Sequence, residues 1–384
     1  MSRIGESATL RVSRLASELR ARGVPIVDFG AGEPDFPSPA VAVEAARQAL
    51  ADGFTRYTPG SGIPELRAEV ADLYRRRYGA PWTGAQAVIT VGGKAALFEV
   101  ALAVFEDGQE VVLPSPCWVS LPEQIRFAGA TPVEVPTATE DGFRIHAAPL
   151  LAAVTGRTRA ILLNAPCNPT GGVIAAADLR AIVRFAAARG LLVISDETYT
   201  RFVYGGLAPV SAAALAAEFP DTVVVVGSFS KTYAMTGWRI GYLLGPPAVV
   251  RAVEVIQSHA TSNPTSFAMV GALAALRHAE PEVEVMLAEY AARREMLIPR
   301  LNQLPGFVCR PPDGSFYAFP DVSACYRPGR QGSLEFTEFL LREARVVVVP
   351  GAAFGSDAHI RLSFACSRAA LHEGLERLAA VLAD

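Results

Sequence analysis

Between about residues 85 and 245, short apolar runs that end in small or polar residues alternate with longer alanine-rich stretches. The runs are AVITVG at 87–92, EVVLPSP at 110–116, AILLNAP at 160–166, LLVISDE at 191–197, VVVVGS at 223–228 and WRIGYLL at 238–244. Near-continuous apolar strands separated by helical segments predict a mostly parallel α/β sheet covered on both faces. Ligands of such sheets bind beyond the carboxyl ends of the strands. The polar residues that follow each run are therefore the first candidates for chemistry.

The pattern changes on either side of this block. Residues 265–304 have helical periodicity with Pro281 as the first interruption, and a second, smaller α/β domain is expected to begin near their end. Within it, GFVCRPPDGSFYAFPDV and REARVVVVPGAAFG read as strands and turns, and SRAALHEGLERLAAVLA as an amphipathic terminal helix. The first 30 residues hold a helical stretch, VSRLASELRARG, then an extended approach to GAGEPDFPSP. The expected division is an N-terminal arm with part of the small domain over 1–44, a large domain over 45–285 and a C-terminal small domain over 286–384.

Composition narrows the functional classes. A chain of 384 residues with 51% hydrophobic side chains can bury a large core. Its 35 Lys+Arg against 38 Asp+Glu give a formal charge of -3, so no global field attracts nucleic acid or an anionic membrane. Cys117, Cys167, Cys309, Cys325 and Cys366 are widely spaced and form no CxxC pair, which argues for a reducing compartment and against a disulfide framework or structural zinc. The five histidines make no HExxH, so no metal role is implied. No apolar stretch is long enough to span a bilayer, and the opening MSRIGESATLRVSRL lacks a signal-peptide core. A cytoplasmic protein is expected.

Five strand-end sites share an unusual inventory: Gly92-Gly93-Lys94, Trp118, Asn168, Asp196 with Tyr199, and Ser228 with Lys231 and Arg239. Each has a bland reading by itself. The GGK could be a turn before a helix, Trp118 a core residue, Asp196 a helix cap, Lys231 a solvated lysine and Arg239 one half of an ion pair. Together they match a demanding ligand. A lysine amine can form a Schiff base with an aldehyde, an aromatic ring can stack on a flat cofactor, and an acid can hold a pyridine nitrogen protonated. Glycine turns, serine, arginine and a helix N-terminus can hold a phosphate. Pyridoxal 5′-phosphate requires all of these.

The segments VGGKAALF, SPCWVS, NAPCNPTGG, SDETY, SFSKTYAMTGWRIGY and RLSFACS resemble, in this order along the chain, those of the aspartate aminotransferase family of fold type I pyridoxal-phosphate enzymes. The resemblance runs over almost the whole chain and is nearest the bacterial aspartate and aspartate/prephenate subgroup. It implies that Lys231 carries the cofactor and shuttles the proton, that Asp196 pairs with the pyridine nitrogen, and that Tyr199 and Asn168 contact the 3′-oxygen. Trp118 would stack on the ring, and Ser228, Arg239 and the Gly93-Lys94 turn would surround the phosphate. Tyr57 in RYTPGSGIPELR would reach the phosphate of the neighbouring subunit, which implies a homodimer with shared sites. Arg361 would grip the substrate α-carboxylate, with Gly32 and Phe316 lining the same pocket.

The implied activity is ping-pong transfer of an amino group between an L-amino acid and a 2-oxo acid. The substrate side chain is less constrained. Lys94, with Ser7 and Thr9 in a lid, would favour aspartate or glutamate, yet the same lysine could admit prephenate or an uncharged aromatic substrate. A carbon–sulfur β-lyase could use the same Lys231, Asp196 and Arg239, and a cofactor-binding regulator without turnover is a further alternative. Two positions depart from the resembled segments: Ala95 stands where glutamine is common, and Thr198 where isoleucine is frequent.

Overall fold

The computed structural model describes residues 8–383; Ser7 and the Thr9 side chain, expected in a lid, lie outside the described residues. A seven-stranded sheet is ordered Ala87–Thr90, Gly241–Leu244, Val223–Ser228, Leu192–Asp196, Thr158–Asn164, Glu110–Ser115 and Thr131–Pro136. Gly241–Leu244 runs antiparallel to both of its neighbours, and the remaining pairs are parallel. Thr131–Pro136 was not among the runs read from the sequence. It is an edge strand, TPVEVP, whose two prolines and partial exposure mask the usual apolar signal.

Alternation along each buried strand divides the core into two layers. Ile161, Leu163, Val193, Val223 and Val225 pack on the side of the helices Pro64–Tyr78, Ala176–Ala187 and Ser266–His278. Their neighbours Ala160, Leu162, Ile194, Val224 and Val226 face the helices Gly93–Val104, Ser120–Phe127 and Pro247–Ala260. Successive strand side chains point to opposite faces, so a strand covered on both sides must be apolar throughout. Polar side chains are tolerated where the strands end, and there the site is built.

A separate core gathers the helices Glu280–Leu301, Gly332–Glu343 and Arg368–Leu382 around the strands Tyr317–Ala318 and Ile360–Ser363. Val27–Asp28 pairs in parallel with Val346–Val347, tying the N-terminal segment to these elements. The helical pattern over 265–304 resolves into two helices, with Pro281 in the first turn of the second, where its missing N–H costs no intrahelical bond. The run at 238–244 is shorter as a strand than expected, because Thr236–Trp238 forms a 3₁₀ turn. Among the described residues no helix is long and apolar enough to cross a membrane.

The start of the reversed strand bears directly on the site. A Cβ on Gly241 would overlap the backbone of Gly92 and Gly93, so glycine permits the strand to lie against the start of the Gly93–Val104 helix. Gly241→Ala is expected to lower unfolding stability by about 1–3 kcal/mol through this overlap. Gly237→Ala, which meets open space, should change it by less than about 0.5 kcal/mol. Urea unfolding of both variants checks the contrast.

Candidate active site

At the carboxyl edge of the sheet, facing the second core, lies a cavity of about 320 Å³. Its lining includes Gly93, Lys94, Trp118, Asn168, Asp196, Tyr199, Ser228, Lys231 and Arg239 from the sheet side, with Gly32, Tyr317 and Arg361 from the other. Residues more than 300 positions apart thus share one space. Four cations line the cavity, Lys94, Lys231, Arg239 and Arg361, against one carboxylate, Asp196. Among the described residues none of the four forms an ion pair.

Asp196 closes its strand, and register places Asn164 directly opposite it. The Asn164 amide donates to Asp196 Oδ2 at 3.0 Å, while the Thr198 hydroxyl at 2.7 Å and the Thr198 N–H at 3.1 Å both donate to Oδ1. Burial pushes the Asp196 carboxyl up, and the Thr198 and Asn164 hydrogen bonds and the Lys231 charge pull against that rise. Asn164 was not singled out from the sequence. The signal was present, since a polar side chain ending a buried AILLN run must find partners.

Lys231 lies on the short helix Phe229–Thr232 after the neighbouring strand, and Ser228 caps that helix by accepting from the Ser230 N–H at 3.0 Å. The ammonium donates to the Gly32 carbonyl across the cavity. Its pKa is lowered to about 8, chiefly by burial; Glu33 opposes the shift, and Arg361, Arg239 and Lys94 reinforce it. The free amine is therefore a much larger fraction near neutral pH than it is for a solvated lysine.

At one end of the cavity, Gly92 has φ of 83° and precedes the twelve-residue helix that starts at Gly93. A Cβ on Gly92 would crowd the Arg239 guanidinium, so this glycine leaves space for the arginine beside the helix N-terminus. Arg239 is itself in the left-handed region, φ 57°, and donates to the Thr236 carbonyl at 2.9 Å. Free N–H groups of a helix start and an unpaired guanidinium make an anion site. Lys94 in the same first turn sits 4.8 Å from the Trp118 ring centroid. A cation is disfavoured at a helix N-terminus, and burial, then Arg239, lower the Lys94 pKa.

The opposite end is organised by Arg361, which is buried on Ile360–Ser363. It donates to Asn168 Oδ1 at 3.0 Å and to the Gly30 carbonyl at 2.8 Å, and stands over the Tyr317 ring at 4.4 Å. Its buried Nε has no partner. An unsatisfied buried N–H is costly, and a carboxylate in the cavity is its natural complement.

One expected lining residue is corrected. Phe316 is fully buried behind the cavity, packed against Tyr199, Phe202 and Tyr290 with ring centroids 5.4–5.5 Å away. Tyr317 occupies the cavity instead, at the start of the strand Tyr317–Ala318, while Phe316 lies in the bend before that strand and turns into the aromatic cluster. Its hydroxyl lies 2.8 Å from that of Tyr199, and a Cβ on Gly32 would press against it at 3.0 Å. A buried phenol needs a polar partner, which in FYAF favoured Tyr317 over Phe316 for this role. Tyr57 is 89% exposed and does not line the cavity of its own chain.

A predominantly parallel sheet with a buried lysine and acid at its carboxyl edge, facing an arginine from a second core, defines an enzyme of the aminotransferase type. The chain belongs to the class I and II aminotransferase family, whose model matches residues 24–378. It is 42% identical over 386 residues to a probable aspartate/prephenate aminotransferase of Aquifex aeolicus, covering 100% of this chain and 98% of the other. The aspartate aminotransferase of Geobacillus stearothermophilus is 40% identical over 373 residues, 97% of this chain and 95% of that one. Among solved structures, the Thermus thermophilus aspartate aminotransferase with maleate superimposes with a TM-score of 0.93 at 41% identity, covering 99% and 97% of the two chains.

Proposed function

We propose that this aminotransferase uses pyridoxal 5′-phosphate to exchange the amino group of an acidic L-amino acid, aspartate or glutamate, with a 2-oxo acid in a ping-pong cycle, as a homodimer. The observation that carries this reading is the set of three unpaired cations, Lys94, Arg239 and Arg361, around one buried acid, Asp196, and one lysine of lowered pKa, Lys231. The residues fit the cofactor. The Gly92–Gly93 helix start, Ser228 and Arg239 would hold its phosphate, Asp196 its ring nitrogen, Tyr199 and Asn168 its 3′-oxygen, Trp118 its ring face and Lys231 its aldehyde carbon. When bound, pyridoxal phosphate supplies an electron-accepting ring that weakens the Cα–H bond of an attached amino acid.

The protein's own contributions follow from the geometry. Arg361, with its planar fork and unsatisfied Nε, orients the substrate α-carboxylate. Lys231, with its pKa near 8, takes the proton from Cα and returns it during amino-group transfer. Lys94 offers its charge to a distal carboxylate, which would relieve its unfavourable position on the helix dipole. The names of the relatives, one of them solved with the dicarboxylate maleate, support an acidic substrate. Exposed Tyr57 is free to reach a neighbouring subunit's phosphate site.

Single-turnover absorbance of the cofactor-loaded protein tests the reading, with L-aspartate, L-glutamate, L-phenylalanine, L-alanine and L-cysteine added separately. Rapid formation of pyridoxamine phosphate with the two acidic substrates is expected. Ammonia and pyruvate from L-cysteine would reassign the chain to a β-lyase, and preference for phenylalanine would shift the substrate class. Lys94→Ala is expected to lower kcat/KM for aspartate roughly tenfold or more and to affect phenylalanine less; equal losses would remove Lys94 from side-chain recognition.

Cofactor uptake has a predictable pH dependence. The Lys231 amine must be neutral to react, and its pKa is about 8. The uptake rate of the cofactor-free protein should therefore rise about tenfold per pH unit below that value and level off above it. Stopped-flow absorbance from pH 6 to 10 measures it; a flat profile would show that Lys231 deprotonation does not limit uptake.

A further inference from the structure

Asp196 is a buried carboxylate, 3% exposed, with no ion pair among the described residues. Its charge is held by three hydrogen bonds, two of them from Thr198. The distribution is uneven: Oδ1 takes both Thr198 bonds, and Oδ2 takes only the Asn164 amide. A carboxylate oxygen can accept about two hydrogen bonds. Oδ1 is therefore filled within the protein, while Oδ2 retains an accepting position.

We propose that Thr198 is a positioning residue for cofactor binding, whose hydroxyl saturates Asp196 Oδ1 and so presents Oδ2 to the protonated ring nitrogen of pyridoxal phosphate. The inference rests on the reading of Asp196 as the partner of that nitrogen. Side-chain chemistry at this position matters because any residue except proline can supply the N–H bond, but only a hydroxyl at this reach adds the 2.7 Å bond to the same oxygen. Without it, Oδ1 has an open accepting position in a buried site, and the carboxylate can rotate to share one donor between its oxygens. Thr198 also lines the cavity and approaches the start of the Gly93–Val104 helix, 3.6 Å from where a Gly93 Cβ would lie. A packing role is thus the rival explanation.

The two roles separate in cofactor affinity. Cofactor-free wild type, Thr198→Val and Thr198→Ser would be titrated, by protein fluorescence at equilibrium, with pyridoxal 5′-phosphate and with its 1-deaza analogue, in which a C–H replaces the ring nitrogen. Valine keeps the shape and the N–H bond while deleting the hydroxyl, and Thr198→Ala is the second deletion should the valine variant fold poorly. The expected result is that Thr198→Val weakens pyridoxal phosphate binding roughly tenfold, that Thr198→Ser restores it to within about twofold, and that all variants bind the deaza analogue with equal affinity. Equal weakening toward both compounds would overturn the proposal in favour of packing, as would no weakening toward either. A wild type that binds both compounds alike would remove Asp196 as the reader of the ring nitrogen, and the inference with it; that outcome is visible before any variant is compared.

Discussion

Lys231→Met is expected to reduce amino-group transfer from L-aspartate by about 10⁴-fold or more, the scale of a positioned acid–base group that also tethers the cofactor, and to raise the stability of the cofactor-free protein. The same burial produces both effects. The folded-state pKa of Lys231, about 8, lies below its ordinary value of 10.5. Between those values the unfolded chain binds more protons, so stability rises with pH across that window and the full penalty is present below about pH 8. Methionine removes the penalty at similar volume. Allowing for the side chain's contact with the open cavity and the lost bond to the Gly32 carbonyl, a gain of about 1–3 kcal/mol at pH 7 is expected. The gain should shrink toward pH 10. Urea unfolding at both pH values and single-turnover assays check the two halves; lower stability at pH 7 would mean that Lys231 is a structural cation.

Arg361→Lys is expected to lower kcat/KM for every α-amino acid by roughly 10²–10³-fold, with cofactor affinity nearly unchanged. Lysine keeps the charge but loses the planar fork. The bonds to Asn168 Oδ1 and the Gly30 carbonyl draw on two nitrogens of one rigid group, and a single ammonium cannot reproduce them while also facing a carboxylate. Because Asn168 is pinned through its N–H to Asn164 Oδ1 at 3.0 Å, and Asn164 binds Asp196, part of the loss should appear in kcat. Steady-state kinetics with aspartate, glutamate and alanine provide the measurement. A loss confined to acidic substrates would place Arg361 at the side-chain carboxylate instead of the α-carboxylate.

Much of the candidate site was legible because it is local. Asp196, Ser228 and Lys231 follow apolar strands at the distances that a parallel sheet requires of its binding edge, and the glycine pair before Lys94 reads as a helix start. The edge strand Thr131–Pro136 was illegible because exposure and proline weaken its periodicity. Phe316 and Tyr317 were exchanged because Phe316 lies in the bend before the strand Tyr317–Ala318, where no strand alternation sets a side chain's direction. The sequence offered both aromatic residues and left their directions to packing against Tyr199 and Tyr290.

By itself the sequence determined the strand and helix alternation, the placing of a candidate lysine and acid at strand ends, and a charge balance with no global field, because these depend on residue type and short-range periodicity. Tertiary structure decided that Gly32, Tyr317 and Arg361 face Lys231 and Asp196, that Thr198 and Asn164 divide the two Asp196 oxygens, and that four cations converge on one cavity. Those relations depend on strand register and on the packing of distant segments. Desolvation and charge proximity, which depress the Lys231 pKa, arise only when the chain has closed around them.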